Sequence, residues 1–214
     1  MPEGIATVLD ALSGGQPIDV FVHNTGINAV ARFDRSDPAR TSELIDLNLL
    51  APLLLTAGLI RRGILAEHAC LVFVASLSCQ LGYPGAAAYA ASKDGLASFA
   101  ASLHAAAPLG LRTLTIFPGP TRTGHAAEHS PDNSRAHRRM APDSLAAKIL
   151  AAIESHQTTL VPGAANKAMA AAGTLFPHTA SRLTHRALLG IPTATHTPTA
   201  PAPPLQALPR PAED

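Results

Sequence analysis

Tryptophan is absent from this 214-residue chain, and two tyrosines and six phenylalanines are its whole aromatic complement. A core must therefore be filled by aliphatic and small side chains. Cys70 and Cys79, the two cysteines, sit outside any CxxC or Cys/His spacing. That excludes a disulfide framework or a zinc finger and leaves reduced, structural thiols. The net charge of +1 comes with no basic block, so nucleic acid is not expected as a partner. The opening MPEGIATVLDAL has no apolar signal-peptide core. The most apolar window, residues 49–60, falls short of the ~20 residues that span a bilayer and contains Pro52. A soluble, cytoplasmic protein with no membrane role is expected. There is no internal repeat.

What is present alternates between helix and strand patterns. Residues 3–12 place Ile5, Val8, Leu9 and Leu12 at helical spacing, and a Ser-Gly-Gly-Gln-Pro stop follows. Residues 18–23, IDVFVH, are nearly continuous in apolar character, which suits a parallel strand covered on both faces. Asp37-Pro38 predicts a capped helix start, with the helix running to about residue 62. Leu44, Leu47, Leu54 and Leu55 are expected on its inner side, with a kink or local irregularity at Pro52. A buried strand over 71–75, an alanine-rich helix over 88–107 and strands over 111–117 and 158–161 follow. Residues 142–154 form an amphipathic helix, and residues 165–189 read as helix in two pieces broken at Pro177. The expected organisation is one domain over 1–190 and a proline-rich, disordered tail over 191–214.

Residues 76–93, SLSCQLGYPGAAAYAASK, carry the chemistry. Tyr89 and Lys93 are four apart, so a helix puts them on one face. A lysine ammonium there favours the phenolate and makes the tyrosine usable as an acid or base near neutral pH. Ser76, at a strand's carboxyl end, is placed to donate a hydrogen bond to the same substrate oxygen. An isolated YxxxK is most often a solvated helix face; the serine at this distance is what sets this one apart.

Together these residues resemble the short-chain dehydrogenase/reductase family over residues 17–163. The resemblance implies an α/β fold, a Rossmann-like doubly wound parallel sheet, and an NAD(P)-dependent oxidoreductase acting on a carbonyl or alcohol. It implies Ser76, Tyr89, Lys93 and Asn48 as the catalytic set, with Asn48 holding a water in a proton relay. From the residues alone, Asn48 could equally be a buried helix polar group satisfied by backbone. The cofactor-contacting positions implied are Asn24 and Gly26, where HNTG replaces the family's NNAG, together with Tyr89, Lys93, Pro118, Gly119, Thr121 and Thr123. A homodimer or homotetramer through the Asp37 and Tyr89 helices is implied too. The polar stretch 124–140 is read as a substrate-closing segment that holds Arg138 and Arg139 near the pocket mouth.

The family's glycine-rich turn between a first strand and first helix has no counterpart here, since Gly14-Gly15 precedes a strand. No acidic or basic residue that would separate NAD from NADP is present either. The chain therefore reads as an N-terminally truncated member lacking the first strands, with impaired cofactor binding. The alternative is an inactive remnant acting as a dimerising or interaction protein. His125-Ala126-Ala127-Glu128-His129 matches the HxxEH zinc-peptidase pattern, but flanking Gly124 and Pro131 leave little room for a helix and no third ligand is found. No metal is expected. A Ser76 hydrolase is disfavoured because the nucleophile-elbow glycines are missing.

Overall fold

The run around Leu71 has no polar alternation because the strand it forms has no solvent side. In the computed structural model this strand, β2 (Leu65–Val74), lies between β1 (Ile18–His23) and β3 (Arg112–Ile116), and β3 pairs with a short β4 (Thr159–Leu160). Every pairing is parallel, in the order β1-β2-β3-β4. The structure describes residues 2–28, 33, 36–81, 85–106, 110–124, 127, 136–176, 178–179 and 182.

Helices cover both faces of this sheet. Against one face, Cys70, Val72, Leu114 and Ile116 pack on Ile149, Ala152 and Ile153 of α6 (Pro142–Glu154). On the other, Leu71 and Phe73 meet Leu96, Phe99 and Ala100 of α5 (Ala87–Ala105). Alternate residues of one strand thus serve two cores, which is the doubly wound α/β arrangement. The remaining helices are α1 (Pro2–Leu12), α2 (Pro38–Ile45), α3 (Ala51–Arg61), the single turn α4 (Ser78–Leu81) and α7 (Ala164–Leu175).

Asp37 caps α2 as its sequence requires: its Oδ1 accepts from the Ala39 N–H at 2.9 Å, with Pro38 in the first turn. Of the two forms expected at Pro52, a kink or a local irregularity, the structure has the irregularity. A five-residue π turn, Asp46–Leu50, joins α2 to α3 and precedes the proline. Pro52 has no N–H for the carbonyl of Asn48 and its ring crowds that carbonyl; widening the preceding turn relieves both problems. The wider turn also rotates the face that follows. Leu44, Asn48, Pro52, Thr56 and Leu59 are the buried line, whereas Leu54, expected inside, is 40% exposed. The continuous helix Pro38–Arg61 has 24 residues, and its most apolar 18-residue window has mean hydropathy 1.7, enough by length and composition to cross a membrane. The window at residues 49–60 missed this because the helix runs through into α2.

On the sheet face that α6 covers over β2 and β3, β1 carries an exposed apolar surface. Val20 and Val22 are 40% and 45% exposed, while their register partners Cys70 and Val72 are at 2% and 0%. Helix α1 packs instead on α3, where Leu9 meets Leu59 and Ile64 and lies against Gly58. The HxxEH residues His125, Glu128 and His129 and the tail 191–214 lie outside the described residues, as do residues 128–135 of the expected closing segment.

Candidate active site

Parallel strands deliver their loops to one end of a sheet, and ligands of open α/β sheets bind there. At the carboxyl end of β1 comes Asn24–Asn28, at that of β2 comes Ser76, and at that of β3 comes the turn Pro118–Thr123. Lys93 ties the first two together. Its Nζ donates to the carbonyl of Val74 at 2.9 Å, at the very end of β2. Gly26, beyond β1, comes so close that a Cβ there would lie 3.0 Å from Lys93 Nζ and 3.2 Å from Asn48 Oδ1. Any side chain at position 26 would have to displace Lys93 Nζ or Asn48 Oδ1 by a few tenths of an ångström. The turn after β3 joins through Leu77, whose N–H donates to the carbonyl of Pro118 at 3.1 Å.

Asn48 sits in the π turn, fully buried, and its carboxamide grips both backbone polar groups of one residue. Its Oδ1 accepts from the Ile27 N–H and its Nδ2 donates to the Ile27 carbonyl, both at 2.8 Å. The second Nδ2 hydrogen goes to Ser92 Oγ at 3.1 Å. The side chain of Asn48 is thus a satisfied buried amide, and what it holds is the loop that abuts Lys93. Ser76 Oγ accepts from the Ser78 N–H at 3.2 Å. Tyr89 stands one turn before Lys93 on α5, half-buried.

Burial sets the electrostatics. Lys93 is 3% exposed, and desolvation lowers its pKa to about 8. Cys79 is pushed up to about 11, chiefly by burial, so it is a neutral thiol beside the site. His23 is lowered to about 4 by burial alone. Its ring stacks on Phe73, meets Phe21 edge-on, and shares a 3.0 Å hydrogen bond with Thr56 Oγ1.

The remaining sequence-derived positions fall into two groups. Asn24 and Thr123 are exposed at the sheet's carboxyl end. Gly119 and Thr121 have local work: a Cβ on Gly119 would strike Asn166 of α7 at 2.5 Å, and Thr121 Oγ1 donates to the Gly119 carbonyl at 3.1 Å. Met140 bridges to Thr121, which brings Arg138 and Arg139 alongside the Pro118–Thr123 turn. Sequence reasoning missed Ser92, hidden in an alanine-serine helix. It also missed Asn28 Oδ1 and Ser78 Oγ, buried atoms with no hydrogen-bond partner among the described residues.

Residues 3–134 match the short chain dehydrogenase family. Protein FixR of Bradyrhizobium diazoefficiens is 36% identical over 131 residues, covering 58% of this chain and 46% of that protein. A Dehydrogenase/reductase SDR family protein 7-like of Drosophila melanogaster is 29% identical over 171 residues, covering 72% and 49% respectively. The chain thus spans about half the length of these curated relatives. Among solved structures, a short-chain dehydrogenase from Streptomyces avermitilis superposes with a TM-score of 0.68 at 24% identity, over 88% of this chain and 75% of that one. One from Burkholderia cenocepacia in complex with NADP gives 0.68 at 21% identity, over 86% and 76%. With a parallel sheet covered by helices on both faces and residues 3–134 matching its model, the chain belongs to the short-chain dehydrogenase family.

Proposed function

We propose that this chain carries the catalytic half of an NAD(P)-dependent oxidoreductase that interconverts a small carbonyl compound and its alcohol. The observation that carries the reading is Lys93, buried between the ends of β1 and β2 with Tyr89 one turn away. Ser76 Oγ accepts from Ser78 N–H, and among the described residues its own hydrogen has no acceptor, which suits donation to a substrate oxygen. Tyr89 passes the proton to that oxygen in reduction and recovers it in oxidation. The Lys93 ammonium favours the tyrosinate, and below its pKa of about 8 that charge is in place. A nicotinamide dinucleotide, when bound, supplies or accepts the hydride.

The residues fit the nicotinamide end of such a cofactor. Gly26 permits close backbone approach, and Asn28 Oδ1 and Ser78 Oγ are buried polar atoms left over for a ligand. Asn24, Pro118, Gly119, Thr121 and Thr123 line the same end of the sheet. An acetoacetyl-CoA reductase of Acinetobacter is 25% identical over 159 residues, which supports a carbonyl substrate class. A cytoplasmic homodimer or homotetramer through the Asp37 and Tyr89 helices completes the reading; Leu50 and Leu54 are exposed on the first of them. The exposed apolar side chains of Val20, Val22, Leu50 and Leu54 favour one competing reading, a non-catalytic interaction protein.

Titration with NADH and NADPH, followed by nicotinamide fluorescence, separates the two. Saturable binding that disappears in a Tyr89→Phe, Lys93→Ala double variant is expected. A folded protein that leaves the fluorescence of both cofactors unchanged would remove the enzyme reading and leave the interaction protein.

A further inference from the structure

Ser92 has no assigned part in the site, yet it is completely buried and makes two hydrogen bonds between elements of that site. Its Oγ donates to the carbonyl of Tyr89 at 2.7 Å and accepts from Asn48 Nδ2 at 3.1 Å. Helical serines often bond back to a carbonyl one turn earlier, and Ser102 does so here at the surface, to Ser98. Ser92 differs because the same oxygen also receives a side chain from the π turn. Its single hydrogen is committed to Tyr89, so towards Asn48 it acts as an acceptor. An Asn48 carboxamide turned the other way would set its Nδ2 against the Ile27 N–H, donor against donor.

The start of α5 makes this bond matter. Ala86 occupies the N-cap and offers no side-chain hydrogen bond, so the first turn, which carries Tyr89, is not secured in the usual way. Ser92 secures it from one turn further along, and fastens it to Asn48 and through Asn48 to Ile27. We propose that Ser92 is a positioning residue that couples the Tyr89 turn of α5 to the Asn48–Ile27 clamp, and so holds Tyr89 in register with Lys93. Its effect on turnover rests on the oxidoreductase reading; the coupling itself does not.

The test compares Ser92→Ala, Ser92→Cys, which keeps nearly the same volume with a weakly bonding sulfur, and Ser92→Thr, which keeps the hydroxyl. Amide hydrogen exchange at Ile27, whose N–H is held by Asn48, is followed against Val72 in β2. The Ala and Cys variants should exchange at Ile27 about 10-fold faster with Val72 unchanged, and Thr should restore protection. Reduction of ethyl acetoacetate with NADPH should show kcat lowered about 10-fold and KM within about twofold in the same two variants. Wild-type exchange at Ile27 in Ser92→Ala, or equal acceleration at Val72, would overturn the proposal and make Ser92 ordinary packing. Absence of turnover in the wild-type protein would count against the oxidoreductase reading alone, because the exchange comparison still decides Ser92.

Discussion

His23 shows how one buried residue writes a pH dependence into the fold. Its imidazole lies between Phe21 and Phe73 with Thr56 as hydrogen-bond partner, and burial lowers its pKa to about 4 from an ordinary value of 6.5. In the unfolded chain the ring takes up a proton near 6.5; in the folded chain it does so only near 4. Between these values the unfolded state binds more protons, so stability is full above pH 6.5 and falls as pH drops towards 4. The loss attributable to this group is about 3 kcal/mol at most. Urea denaturation from pH 7 to 4 should show that decline, and His23→Gln should flatten it; an equally steep decline in the variant would place the cause elsewhere. At this scale Ser76, Tyr89 and Lys93 were legible because a strand end and a four-residue helical spacing are both visible in a linear pattern. Asn48 was half legible, since an asparagine among leucines announces a buried polar group without its partner. Ser92 was not legible at all: its significance comes from the 44 residues that separate it from Asn48.

Among the elements, the long helix from Pro38 to Arg61 carries the clearest difference between pattern and structure. Proline was correctly read as an irregularity, but a linear sequence does not say whether a kink or a widened turn absorbs it. That choice decides the inward face, and it turns Leu54 out and Thr56 in. The same helix receives α1 at Gly58. A Cβ built there would lie 2.3 Å from Leu9 Cδ1, closer than carbon atoms approach without displacement. Gly58→Ala gains up to about 1 kcal/mol in helix propensity. Overpacking against a buried leucine costs about 1–3 kcal/mol. The net expectation is a loss of about 1 kcal/mol by thermal or chemical unfolding. Combining it with Leu9→Ala should be non-additive, because the smaller side chain removes the clash; simple additivity would mean that Leu9 moves aside freely in the wild-type protein.

For the whole molecule, the parallel order of the strands followed from their apolar runs, but the consequence at the sheet's margin is plain only in three dimensions. β1 has the composition of an interior strand and lies at an edge. The face that α6 covers over β2 and β3 continues onto Val20 and Val22, where both side chains meet solvent. An apolar parallel edge with unpaired backbone groups is a template for further strand pairing. Concentration-dependent association is therefore expected, and Val20→Lys with Val22→Lys should suppress it. Since neither side chain is packed, the double variant should keep its Tm within about 4 °C of wild type, the shift that about 1 kcal/mol produces in a domain of this size. Val72→Lys, on the same face one strand inward and fully buried, should abolish folding. Sedimentation velocity over a concentration series, with thermal unfolding of each variant, makes the comparison. If the Val20, Val22 double variant unfolds as readily as Val72→Lys, those side chains are covered in solution, and the β1 edge is an occupied interface.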